Sequence, residues 1–171
     1  IGVQSPEFVA DALVFRPTWS VESIWFGNIV RAERFGSGLL LTVFDLNAER
    51  TAYYPSLSSV NELLLPWSGF DDLLVSEIVD SNVKAYLVQN HQLMRGTYDA
   101  SNAKVDVRQV GEGEVIANLV RAGTIENDPA VWVARAAGVQ RLRFSDTSGA
   151  AATVPFPAGF SKTTEAVLFA G

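Results

Sequence analysis

The chain has 171 residues, with 13 Lys and Arg against 19 Asp and Glu, one histidine and a formal net charge of −6. Its 48% hydrophobic content supports a sizeable core, while the acidic balance argues against a broad nucleic-acid surface, which needs clustered Lys and Arg to neutralise phosphates. The lack of cysteine removes disulfides and thiol nucleophiles, and any Ser-His-Asp triad has to run through His91.

Period-2 alternation, broken at short intervals by turn residues, predicts an all-β chain: an antiparallel β-sandwich, jelly roll or barrel of about eight to eleven strands. The start, Ile1-Gly2-Val3, with neither Met nor a basic leader, reads as that of a processed chain. Residues 8–15, 21–29, 39–44, 51–54 and 83–89 read as strands, separated by Pro17, Gly36-Ser37-Gly38, Asn47 and Pro55. Around residues 57–79 the pattern changes and predicts one or two short helices. Ser59-x-x-Glu62 has the form of a capping box, Ser68 stands ahead of Asp71-Asp72 as an N-cap, and Leu73, Leu74, Ile78 and Val79 make a helical stripe. A strand over 73–79 is the alternative. Val105-Asp106-Val107-Arg108 alternates cleanly, and Gly111-Glu112-Gly113-Glu114 reads as a reversal into a strand over 115–120. A second hairpin joins 131–134 to 139–144 through Ala136-Ala137-Gly138, and a last pair is expected at 152–156 and 166–169. No fixed-period repeat is evident, so residues 1–171 read as one β-rich domain; the only split offered is near Ala100, where the aromatics thin out. The longest apolar runs fall far short of the roughly 20 residues of a spanning helix.

Candidate functional residues are few. His91, in Gln89-Asn90-His91-Gln92, reads as a surface-loop residue at a strand end, where a general base can also sit. Carboxylate pairs for glycan hydrolysis can be drawn from Asp71, Asp72, Glu77, Asp80, Glu112 and Glu114, though spacing alone brings no two of them to a common cleft. Asp45-x-Asn47-x-Glu49 imitates half of a calcium loop, but Arg50 stands where that loop needs glycine and Leu57 where it needs glutamate. No metal or cofactor is therefore expected. Alternation places Arg141 and Arg143 on one β face, and Arg135 joins them if its strand's odd positions share that face; such a cluster suits a carboxylate, a sulfate or an acidic partner strand. Trp19, Tyr53, Tyr54, Trp67 and Phe70 flank loop-forming Pro or Gly, where rings can stack on sugars or anchor protein contacts. Trp25-Phe26 and Trp132, inside strand patterns, read as packing.

At the C-terminal end, Leu142-Arg143-Phe144, then Val154-Pro155-Phe156-Pro157-Ala158-Gly159-Phe160, then Ala166-Val167-Leu168-Phe169, resembles the strand, V-x-F-P-x-x-F, strand pattern of β-sandwich modules in phage tail fibres and related H-type lectin domains. Thr164-Glu165 stands where those modules usually carry another proline. The resemblance implies a non-enzymatic binding or assembly module of a virion or cell surface, with no sugar-binding residue assigned. With catalytic residue types so scarce, the leading expectation is a non-catalytic module acting by surface contact, with protein partners, self-association or a glycan. A lipocalin-like or cupin-like barrel holding a small molecule, and a carboxylate-pair glycan hydrolase, are the alternatives.

Overall fold

The computed structural model describes residues 3–9, 12–18, 28–45, 48–55 and 62–156; the expected strand over 21–29 and the strand at 166–169 fall wholly or mostly outside them, as does the start of the first expected helix, whose described end before Pro66 holds strand residues Leu63–Leu64 instead. The described elements are all β-strands, every pairing is antiparallel, and no helix occurs among the described residues. The all-β class is thus what the alternation predicted. The chain divides into two compact units at Gly69 and Phe70. Ala100, the split offered by the sequence, lies inside the second unit in a turn between paired strands.

In the N-terminal unit, β1 (Val3–Val9) and β2 (Ala12–Thr18) form a two-stranded ladder with Val9 opposite Ala12, so residues 8–15 are the junction of two strands and not one strand. A four-stranded sheet follows in the order β3 (Asn28–Phe35), β4 (Gly38–Asp45), β5 (Ala48–Tyr54), β6 (Leu63–Leu64). β4 is buried on both faces, Leu39 and Val43 on one and Leu40 and Thr42 on the other. The one polar pair this burial encloses is satisfied internally, the Thr42 and Thr51 hydroxyls lying 2.9 Å apart across the β4–β5 ladder.

The C-terminal unit is a sandwich of two such sheets. The first holds β7 (Asp72–Val79), β8 (Asn82–Gln89), β9 (Gln92–Asp99) and β10 (Lys104–Gln109); the second holds β11 (Val120–Ile125), β12 (Asp128–Arg135), β13 (Gly138–Arg143) and β14 (Thr153–Val154), each in sequence order across the sheet. Leu74, Tyr86, Val88 and Leu93 from the first sheet meet Val131, Val133 and Leu142 from the second, with Phe144, Val110, Val115 and Leu119 closing the core. Tight turns fit the positive-φ conformers that two-residue hairpins need: Asp80 between β7 and β8, Asn90 and His91 between β8 and β9, Glu126 and Asn127 between β11 and β12.

Two expectations are corrected here. The predicted helix over 68–79 is strand β7. A β-bulge between Val75 and Glu77 adds a residue, so that Leu73, Val75 and Ile78 face Leu87, Ala85 and Val83 across the ladder, at spacings of two and then three that imitate a helical stripe. The reversal at 111–114 makes no hairpin: β10 pairs with β9, while Val115 has only an isolated bridge to Arg135, and 110–119 is the connection between the two sheets. The 131–144 hairpin forms as expected, as β12 and β13.

Candidate functional site

Two places in the C-terminal unit gather chemistry-bearing side chains. The first is the outer face of the β12–β13 hairpin. Register sets Trp132 opposite Arg141 and Ala130 opposite Arg143, so these side chains share one face, while Arg135, opposite Gly138, lies on the other with core residues Val131 and Val133. The even positions of β12 therefore join Arg141 and Arg143, and Arg135 does not.

The Arg141 guanidinium lies 5.7 Å from the centre of the Trp132 ring and donates through Nη2 to the carbonyls of Ala122 at 2.6 Å and Thr124 at 3.3 Å. Those carbonyls sit at the β11 bulge, where the ladder is interrupted and another donor is needed. Arg143 pairs with Glu126 at 2.7 Å and Asp146 at 3.5 Å, and the hydrogen bond and charge of Asp146 hold its pKa above the usual value. Half-buried Val139 shares this face, and its cross-strand partner Val154 is 61% exposed. Trp132 is thus a half-buried ring under a cation, not the core residue its strand pattern indicates. The alternation Val131-Trp132-Val133 already carries the signal, since its two valines take the core face.

Arg135 is buried, and burial pushes its pKa down. It donates to the carbonyls of Val110 at 3.0 Å, Glu112 at 2.6 Å and Gly113, drawing the 110–119 connection onto β12. It acts as a clamp on that connection and is withdrawn from solvent.

The second place is an open cleft of about 410 Å³ lined by Asp71, Asp72, His91, Glu114 and Asn118 among others. Three segments far apart in sequence meet there: the entry to β7, the β8–β9 turn and the clamped connection. The Val115 amide donates to the His91 carbonyl at 2.7 Å, and the His91 amide donates to Asp71 Oδ2 at 3.2 Å. Both carboxylate oxygens of Asp72 accept backbone amides, Leu73 at 2.9 Å and Leu119 at 2.7 Å, which makes Asp72 a strut of the fold. Of the remaining candidate acids, Glu77 is paired with Lys84 at 2.6 Å and Asp80 turns at the far end of β7, roughly 25 Å of strand away. Neither approaches the cleft acids. Among the described residues, no group of three or more His, Cys, Asp or Glu is placed to hold a metal ion.

The aromatic candidates do not gather. Tyr53 packs edge-on against Phe35, with ring centres 5.9 Å apart; Tyr54 donates its hydroxyl to Glu62 at 2.8 Å; and Trp67 is only 3% exposed. Phe70 is half-buried at the start of the second unit, and Trp19 lies outside the described residues. No family model, curated protein or solved structure matches the chain.

Proposed function

We propose that the chain is a non-catalytic β-rich module that works by surface contact within a protein assembly, such as a virion or a cell-surface appendage, through the outer face of β12 and β13. The observation that carries this reading is the Trp132 and Arg141 stack beside Arg143 and the exposed Val154. Tryptophan and arginine dominate the energetics of protein interfaces, and a guanidinium already held over a ring loses little freedom when a partner arrives. The acids support the same conclusion from the other side, because Asp72 is committed to backbone amides, Asp71 accepts the His91 amide, and Glu77 is paired with Lys84 away from the cleft.

Light scattering over a concentration series tests this directly. A symmetric oligomer that Trp132→Ala or Val154→Asp splits into monomers is the expected result. A strict monomer at every concentration, which also captures no protein through this face, overturns the reading. The cleft favours a second reading, recognition of a small polyhydroxylated ligand such as a glycan by Asp71, His91 and Glu114. Calorimetry against a glycan panel, with Asp71→Asn as the control, decides for or against it.

A further inference from the structure

Three stretches of the chain follow one plan. In each, three strands follow one another with two residues between successive strands, and a fourth strand completes an antiparallel sheet: β3–β6, β7–β10 and β11–β14. The second strands, starting at Gly38, Asn82 and Asp128, lie about 45 residues apart, within the range of known blade-like four-stranded repeats. Two finer features recur at equivalent places. Within the described four-stranded sheets, register breaks only between the first and second strand, at Ile29/Arg31 in β3, Val75/Glu77 in β7 and Arg121/Thr124 in β11. The second strand is also the most extensively buried of its sheet, and on both faces: Leu39 with Leu40 in β4, Tyr86 with Leu87 in β8, Val133 with Ala134 in β12.

We infer that the chain is built from one repeated unit, a four-stranded meander bulged in its first strand, and that Arg121 is a staple tying the bulged strand of the third meander to that of the second. A bulge takes a residue out of the ladder and leaves its backbone polar groups to find other partners. Arg121, at the edge of the β11 bulge, reaches the Val75 carbonyl at the edge of the β7 bulge with its Nη2 at 2.6 Å, so the irregularity of one meander answers that of the next. A plain strand at either place would offer the guanidinium nothing it needs to satisfy. An arginine, Arg31, flanks the bulge of β3 as well. The plan also accounts for the position of the cleft. In a four-stranded meander the second turn and the connection to the next meander lie at the same end, which is where His91 and residues 114–118 meet. Sequence at that end can vary from one meander to the next without touching a ladder.

Hydrogen exchange followed by mass spectrometry on the full chain tests both parts. In the unaltered protein, protection should reach its maxima in β4, β8 and β12, and be lower in the strands on either side of each; a profile in which any of the three exchanges like an edge strand overturns the repeat. In Arg121→Ala, the amides of β7 and β8 should exchange at least about tenfold faster, as expected for loss of a charge-assisted bond to a carbonyl. Arg121→Lys should recover part of that protection, and it keeps the test open if the alanine variant fails to fold. Unchanged exchange in β7 and β8, with acceleration confined to β11 and β12, overturns the staple. Arg108→Ala, on the exposed edge strand β10, serves as the control that should alter neither.

Discussion

Tyr86 is inaccessible to solvent, yet its hydroxyl lies 3.2 Å from the carbonyls of both Pro129 and Leu142, on the opposite sheet of the sandwich. Its ring meets Phe144 edge-on at 5.4 Å, and Arg95 closes the group by donating to the Phe144 carbonyl at 2.9 Å. A single phenol thus fixes the spacing of two sheets by packing and by hydrogen bonding together. Tyr86→Phe keeps the packing and removes the donor, and should cost about 1–2 kcal/mol in urea unfolding near neutral pH. Burial, reinforced by the negative charges of Asp128 and Asp146, holds the Tyr86 pKa far above the usual tyrosine value. The sign of the pH effect follows. The unfolded phenol ionises near pH 10 while the folded one stays neutral, so this contribution is complete below pH 10 and is lost as pH rises beyond it. The stability gap between the parent and Tyr86→Phe should therefore narrow in alkali, and a gap that stays constant from pH 8 to 11 would show that the hydroxyl is not buried in this way.

At the scale of elements, glycine matters most sharply at Gly138, the first residue of β13. Its φ is +142°, and a β-carbon there would run into the carbonyl of Val154 and the Cα of Pro155. Because β14 is held to β13 only at Val139 and Gln140, the Gly138→Ala variant should detach β14 and cost more than about 2 kcal/mol. Loss of protection at Val154, with β12 unchanged, is the measurement that checks it. The 131–144 hairpin was legible because alternation and a glycine turn agreed, and β4, β5 and β8 because runs rich in β-branched and aromatic residues stood between breakers. β7 was misread because its bulge turns a spacing of two into three, and the 110–119 connection because Gly111 and Gly113 imitate a hairpin turn when their neighbouring carbonyls are in fact bound by Arg135. The repeat was hidden for a related reason. What recurs is turn length, bulge position and burial, while the residues that satisfy them change: β4 meets its demand with Leu39 and Leu40, and β12 with Val133 and Ala134. Of the candidate site, the shared face of Arg141 and Arg143 followed from period two, whereas the place of Arg135 depended on a strand register that no single strand encodes.

At the scale of the whole molecule, the division at Gly69 and Phe70 asks how much of the second unit's stability is its own. The polar ties described for it are internal: Tyr86 to Pro129 and Leu142, Arg95 to Phe144, Arg121 to Val75, Arg135 to 110–113 and Asp72 to Leu119 all join residues beyond Phe70. Its apolar core likewise draws on both of its sheets and closes within the unit. Hairpins joined by two-residue turns form early and cheaply, because little loop entropy is lost before the first ladder contacts are made. The ties between the sheets can then form on strands already in register. A fragment spanning residues 70–171 should therefore fold, giving a β-rich circular dichroism spectrum, dispersed amide resonances and a single cooperative thermal transition. The Tyr86→Phe variant made in that fragment should lose about as much stability as in the full chain, since every partner of the hydroxyl is present. A broad, non-cooperative melt of the fragment, or a Tyr86→Phe effect that vanishes there, would mean that the sandwich depends on residues before Phe70 for its order.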